Sequence, residues 1–131
     1  MLNRFFKLAV WSALLLVGQS LSASVFFINS QHELQVALAA TVATGKTLVL
    51  DFFSTQCVPC QMLHGVLDTV ASQTQGRADF AFVNVEIAQE LSQNYGISSL
   101  PTLLFFKNGV EVRRMVGLQN EQTISQAISG F

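Results

Sequence analysis

The spacing of apolar and polar positions changes repeatedly along the chain, and each change predicts an element of secondary structure. Apolar runs rich in Val, Ile and Phe predict strands at residues 25–28, 47–53, 79–85, 102–107 and 110–116. Apolar positions at helical spacing predict helices that begin near Ser30, Cys57, Ala88 and Asn120. The predicted order is therefore β-α-β-α-β-α-β-β-α.

Local signals mark the ends of several of these elements. Ser30 and Glu33 have the spacing of a capping box, and Gly45 stands where the same helix should end. Asn108 followed by Gly109 predicts a tight hairpin between the last two strands. Because strands and helices alternate before this hairpin, we predict an α/β fold. Its central sheet should be mixed and mostly parallel, with an antiparallel C-terminal hairpin and helices on both faces.

The first 23 residues have the pattern of a secretory signal peptide. Arg4 and Lys7 precede an apolar stretch at residues 8–17, and small residues surround Ala23. This stretch is much shorter than the roughly 20 residues that a membrane-spanning helix needs. We predict a cleaved signal peptide at residues 1–23 and a mature domain at residues 24–131. The alternative is a membrane anchor formed by an uncleaved N-terminal segment.

The predicted signal peptide also affects charge and location. Arg4 and Lys7 are two of seven Lys and Arg residues, so the mature domain keeps five against eight Asp and Glu, a formal charge of −3. This balance does not favour nucleic acid as a partner. We expect one domain, a monomer, in an exported compartment. The absence of a retention signal after Phe131 favours a bacterial periplasm.

Cys57 and Cys60 are the only two cysteines in the chain. A disulfide between them closes almost no loop, so it stabilises the fold little through chain entropy. The spacing instead suits reversible change between a dithiol and a disulfide. Because a helix is predicted to begin at Cys57, the partial positive charge at its N-terminus should favour a thiolate there. We predict Cys57 as the nucleophile and Cys60 as the resolving thiol.

Two other interpretations of the cysteine pair stay open, a structural disulfide and half of a zinc site. A zinc site would need two further ligands, for which His32 and His64 are available. His64 follows Cys60 by four residues and should lie one turn along the same helix. We predict no metal and no cofactor.

Asp51 is an unusual residue because it interrupts the apolar run of the second predicted strand. Burial of the carboxyl without a cation nearby would raise its pKa. The hypothesis is that Asp51 takes a proton from Cys60, directly or through a water, when Cys60 acts as the resolving thiol. The alternative is an Asp that turns to solvent or is satisfied at the end of the strand.

In this order of elements, residues 25–131 resemble the thioredoxin family. The resemblance rests on Asp51 six residues before Cys57, on the Cys pair itself, and on Pro101 about forty residues later. Residues 105–109 and 116–117 resemble the closing hairpin of the family. The resemblance implies a cis-proline at Pro101 that packs against the Cys pair and presents backbone groups to a bound peptide. The implied substrate-binding residues are Val58, Pro59, Leu100, Pro101 and Gly117.

The chain also departs from the family's usual residues around the site. Phe82 stands where a buried Lys often accompanies the Asp, and Val58 and Gln61 stand where Gly and Lys are usual. Gln56 and Phe53 replace two usual tryptophans. These changes bear on the redox potential, on the titration of Asp51 and on the choice of reductase partner.

The resemblance implies a thiol–disulfide oxidoreductase that exchanges its Cys pair with protein disulfides or thiols, and we predict a protein-disulfide reductase. Such a reductase needs an external electron donor, for example a membrane thiol relay. An oxidase or isomerase stays open, because about 30 mV in potential corresponds to only about 1.4 kcal/mol for a two-electron couple. Two further functions also stay open, a non-enzymatic binding or chaperone module of the same fold and a metal-delivery protein.

Overall fold

A computed structural model describes residues 23–74 and 76–131 of the chain. Its elements follow the predicted order, and their observed bounds lie close to the predicted ones. The strands are β1 (Val25–Phe27), β2 (Thr47–Phe53), β3 (Ala78–Asn84), β4 (Thr102–Lys107) and β5 (Val110–Val116). The helices are α1 (Gln31–Thr44), α2 (Val58–Gln73), α3 (Gln89–Asn94) and α4 (Glu121–Ser129).

The five strands of the described residues form one mixed sheet in the order β1-β3-β2-β4-β5. Both β1 and β2 run parallel to β3, whereas β4 is antiparallel to β2 and β5 is antiparallel to β4. The predicted α/β fold with a mixed sheet is thus confirmed. Antiparallel pairing begins between β2 and β4, one pair earlier than the C-terminal hairpin, so the sheet is less parallel than predicted.

Strand β2 lies in the middle of the sheet, and all seven of its residues are buried. Helices cover both faces, which is why the strand is apolar at nearly every position. Val49 and Phe53 pack with the buried sides of α2 and α4, whereas Leu50 and Phe52 pack with those of α1 and α3. Since successive side chains of a strand alternate between faces, Asp51 belongs to the α2 face. The fold therefore directs this carboxyl toward the helix that follows the cysteines.

The observed ends of α1 confirm the predicted capping. The Ser30 side chain accepts a hydrogen bond from the backbone N–H of Glu33 at 3.2 Å. The Glu33 carboxylate reaches back and accepts from the backbone N–H of Asn29 at 2.7 Å, one residue before the usual capping-box partner. Gly45 ends the helix in the left-handed conformation, at φ +71°.

The predicted signal peptide, residues 1–23, lies outside the described residues except for Ala23, and its boundary stays a prediction. Among the helices that the structure does describe, none is both long enough and apolar enough to cross a membrane.

Candidate active site

Cys57 and Cys60 lie at the turn between β2 and α2. A disulfide joins them, with their Cα atoms 5.2 Å apart. Cys57 is the N-cap of the 16-residue helix α2, and its Sγ accepts a hydrogen bond from the Cys60 N–H at 3.2 Å. Pro59 occupies the first turn of this helix, where the missing N–H costs no helical hydrogen bond. In the reduced protein the same N–H and the helix N-terminus would face a Cys57 thiolate, which they stabilise.

The two sulfurs differ in their access to solvent. Cys57 is half-buried, whereas Cys60 is completely buried in the core between the sheet and α2. Val58 is 64% exposed and Pro59 is exposed as well, so both border the approach to Cys57. Cys57 is therefore the more accessible of the two cysteines, and its role as the nucleophile stays a prediction.

The loop before β4 lies at the same edge of the sheet as the cysteines. Thr102 pairs with Phe52 in the antiparallel β2–β4 ladder, so the start of β4 is beside the end of β2. The Leu100–Pro101 peptide bond is cis, and Leu100 packs against the core cluster that contains Cys60. The sheet topology thus brings this loop to the cysteine pair from a position distant in sequence.

Gly117 joins this loop from the end of β5. Its backbone N–H donates a hydrogen bond to the Pro101 carbonyl at 2.8 Å, and its φ of +87° is one that glycine adopts readily. Leu100 and Gly117 are half-buried, whereas Pro101 is buried. The five predicted substrate-binding residues therefore fall into two neighbouring segments, one at the start of α2 and one where β4 and β5 meet.

Asp51 is buried, with 1% of its surface exposed, so the alternative of an Asp turned to solvent is wrong. Its neighbours across the sheet are Phe82 on β3 and Leu103 on β4, both apolar. Within the described residues, neither carboxylate oxygen has a hydrogen-bond partner. Burial raises the pKa of the Asp51 carboxyl above its ordinary value, because the charged form loses its hydration.

Asp51 has a titratable partner on α2, which the sequence did not predict. His64 on α2 places its Nε2 atom 3.0 Å from Oδ2 of Asp51. The two atoms are within ion-pair distance. The imidazole acts against burial and lowers the pKa of Asp51, but burial has the larger effect and the net direction is upward.

The ring of His64 is held in place by two aromatic side chains. Its centroid lies 4.9 Å from that of Phe53 and 4.6 Å from that of Phe82, with both pairs edge to face. Phe82 therefore does not supply charge to Asp51, but it packs against His64, the side chain that is paired with Asp51. The spacing of His64 from Cys60, four residues on one helix, was the sequence signal for this position.

The two histidines do not complete a zinc site with the cysteines. His64 is paired with Asp51, and His32 is exposed on α1, on the opposite side of the sheet. The residues that the structure describes include no group of three or more His, Cys, Asp or Glu that could hold a metal ion.

Comparison with known proteins agrees with this geometry. The family profile described as Thioredoxin matches residues 28–130. Thioredoxin-2 of Saccharomyces cerevisiae is 38% identical over 102 residues, 78% of this chain and 93% of its own. The reduced thioredoxin pre-protein of Schistosoma mansoni has a TM-score of 0.74 at 27% identity, covering 83% of this chain and 99% of that one. A mutant thioredoxin from Halobacterium salinarum has a TM-score of 0.72 at 32% identity, covering 82% and 90%.

An α/β fold that has two cysteines, separated by two residues, at a strand-to-helix turn defines a thiol–disulfide oxidoreductase. The family profile extends over most of the chain, and the chain belongs to the thioredoxin family. Its substrates are accordingly protein disulfides in the general sense of that family.

The raised pKa of Asp51 makes the stability of the protein dependent on pH. The folded state favours the protonated carboxyl, so its contribution is complete below the unfolded pKa of about 3.9 and is lost as pH rises through the folded pKa. Asp51→Asn removes this titration. We expect the variant to gain stability relative to the wild type between pH 4 and pH 8, by on the order of 1 kcal/mol or more. Denaturant unfolding of both oxidised proteins at the two pH values measures this difference.

Glu90→Gln serves as the matched control, because Glu90 is an exposed carboxylate on α3, on the other side of the sheet. Its free energy of unfolding should stay close to that of the wild type at both pH values. An Asp51→Asn protein whose advantage is the same at pH 4 and pH 8 would show that Asp51 titrates near its ordinary pKa.

Proposed function

We propose that this protein is an exported protein-disulfide reductase in which Cys57, Cys60 and Asp51 carry the chemistry. The observation that supports it most directly is the pairing of a half-buried sulfur at a helix N-cap with a fully buried one behind it. In such a pair, the half-buried Cys57 can attack a substrate disulfide, and the buried Cys60 can then release that substrate.

In the first step, the Cys57 thiolate attacks one sulfur of a substrate disulfide. A mixed disulfide forms between Cys57 and that sulfur, and the other substrate sulfur leaves as a thiolate. The hydrogen-bond donors at the start of α2 favour the ionised form of Cys57 at this stage.

In the second step, Cys60 releases the remaining half of the substrate. Asp51 takes the proton of the Cys60 thiol, and the resulting thiolate attacks the Cys57 sulfur. The Cys57–Cys60 disulfide forms, the bond to the substrate breaks, and the substrate is left reduced by two electrons. A buried carboxyl suits this role, because burial raises its pKa and so makes its carboxylate a better proton acceptor.

The substrate would bind as an extended peptide over the rim around Cys57. Backbone groups of the Pro101 loop, which precedes β4, would pair with the peptide as an added strand would. Exposed apolar surface at Val58 supports this contact. The proposed substrate-binding residues are Val58, Pro59, Leu100, Pro101 and Gly117.

Cysteine variants test the proposed roles. Cys57→Ser should reduce insulin disulfides no faster than the dithiothreitol background, because the attacking sulfur is absent. Cys60→Ser should accumulate a mixed disulfide with the substrate, detectable by its mass, because the attack succeeds and the release does not. Glu90→Gln should retain the wild-type rate. Equal reduction by wild type and Cys57→Ser would leave a non-enzymatic binding module as the better interpretation.

The reductase direction predicts a low reduction potential for the Cys57–Cys60 pair. Thioredoxin has a potential of about −270 mV, whereas the strongest disulfide oxidants lie near about −120 mV. We expect equilibration with glutathione buffers to give a value below about −230 mV. A value close to that of the strong oxidants would instead make the protein an oxidase of the same chemistry.

The proposed location is a bacterial periplasm, where an external donor such as a membrane thiol relay would return electrons to the pair. Expression of the whole chain in a bacterium with two membranes should give a periplasmic protein whose mass corresponds to a start at Ser24. A full-length chain in the membrane fraction would favour the uncleaved anchor, and a full-length chain in the cytoplasm would contradict export.

A further inference from the structure

His64 connects the buried Asp51 carboxyl to the surface. Its Nε2 atom is buried and lies 3.0 Å from Oδ2 of Asp51, yet 32% of the side chain is exposed. A single ring therefore has one nitrogen inside the core and part of its edge in contact with water.

The other surroundings of the carboxyl are closed to water. Phe53 and Phe82 both pack edge to face with the ring of His64 and are themselves 9% and 7% exposed. Leu103 covers the neighbouring position on β4 and is completely buried. Among the described residues, His64 is the polar side chain that is paired with Asp51. A proton on the carboxyl can therefore leave the core through this imidazole, which is the polar group beside it.

We propose that His64 is a positioning residue that acts through Asp51, receiving the proton that Asp51 takes from Cys60 and passing it to solvent. The proposal rests on the proposed function, since it needs Asp51 to be the base for Cys60. His64 thereby becomes a further residue of the site, in addition to the Cys pair and the Pro101 loop.

The proton balance of the second step follows from this assignment. Asp51 gains a proton when the Cys60 thiolate forms, and the electron pair of the broken Cys57–substrate bond leaves with the substrate sulfur. The Asp51 proton passes to Nε2 of His64, and the imidazolium then loses a proton from its exposed side to water. The substrate thiolate takes up a proton from solvent, so no further reactant is needed.

Without His64, the carboxyl would keep its proton longer. Burial favours the protonated form of Asp51, whereas the imidazole favours the ionised form. A base that does not lose its proton cannot accept one in the next cycle. The pairing therefore helps to restore the carboxylate after each release of substrate.

His64→Gln tests the proposal, with His32→Gln as the matched control because His32 is an exposed histidine on α1. The substrate half is first loaded onto Cys57 as a mixed disulfide, and its release is followed in a single turnover from pH 5 to pH 9. We expect release to slow roughly tenfold in His64→Gln, with a changed pH profile, and to be unchanged in His32→Gln. Alkylation of Cys57 should stay within about twofold of wild type in both, since His64 acts on the later step.

A purely structural role for His64 gives a different result. Loss of edge-to-face packing with Phe53 and Phe82 would lower the free energy of unfolding but leave the pH profile of release unchanged. Rescue separates the two roles further. In His64→Ala, added free imidazole should restore part of the release rate if a proton passes through the ring, and no rescue together with an unchanged pH profile overturns the proposal.

The pH profile reports on a small set of groups. Opposite Asp51 on the flanking strands are Phe82 and Leu103, and α4 turns Ile124, Ala127 and Ile128 toward the same core. On α2 the titratable groups are Cys60, His64 and the exposed Asp68, one turn beyond the histidine. Cys57 precedes them at the N-cap. Asp68→Asn should leave the profile of release unchanged, which assigns any change in His64→Gln to the buried pair.

A measurement on the wild type does not depend on the folding of any variant. Carbon-13 NMR of the Asp51 carboxyl and nitrogen-15 NMR of the His64 ring should each show both steps of one coupled titration, because each group responds to the charge of the other. Independent titrations of the two signals would overturn the proposal. If the wild type releases no substrate at all, the reductase function fails, whereas normal release together with independent titrations overturns only the role of His64.

Discussion

The burial of one carboxyl in the central strand is the constraint on which this site depends. Strand β2 is buried along its whole length, between β3 and β4 and under helices on both faces. A carboxyl in such a position must be protonated or must have a partner, since desolvation of the charged form is costly. The neighbouring strands offer Phe82 and Leu103, so the partner has to come from α2. His64 meets this requirement.

The same strand and helix also place the redox pair. Because only four residues separate β2 from α2, Cys57 becomes the N-cap of α2 and Cys60 falls within its first turn, facing the core. Cys60 and His64 are one turn apart and share a helix face with Leu63 and Leu67. The antiparallel pairing of β4 and β5 then brings Pro101 and Gly117 to that edge of the sheet. The oxidoreductase site is thus built from two separate parts of the sequence, residues 51–64 and residues 100–117.

The sequence predicts the elements well because local signals decide them. The apolar runs, the Ser30 cap and the Asn108–Gly109 turn each act within a few residues, and the structure confirms them. These local signals do not predict the Asp51–His64 pair. A strand that is buried on both faces has no alternation in its sequence to show which way Asp51 points. That direction follows only from the sheet order and from the helix that covers each face, which are long-range properties. The antiparallel pairing of β2 with β4 is hidden for the same reason.

The position of the partner matters as much as its charge. A lysine on β3, as the family often has at the position of Phe82, would keep its proton at neutral pH, because the ordinary pKa of lysine is about 10.4. It would stabilise the carboxylate but would not readily exchange protons with it. Imidazole side chains in general change charge near neutral pH, and their two nitrogens can contact different neighbours. At His64 one of them meets Asp51 inside the core, while part of the ring reaches water. With Phe82 on the strand and His64 on the helix, the partner of Asp51 is an imidazole rather than the fixed charge of a lysine.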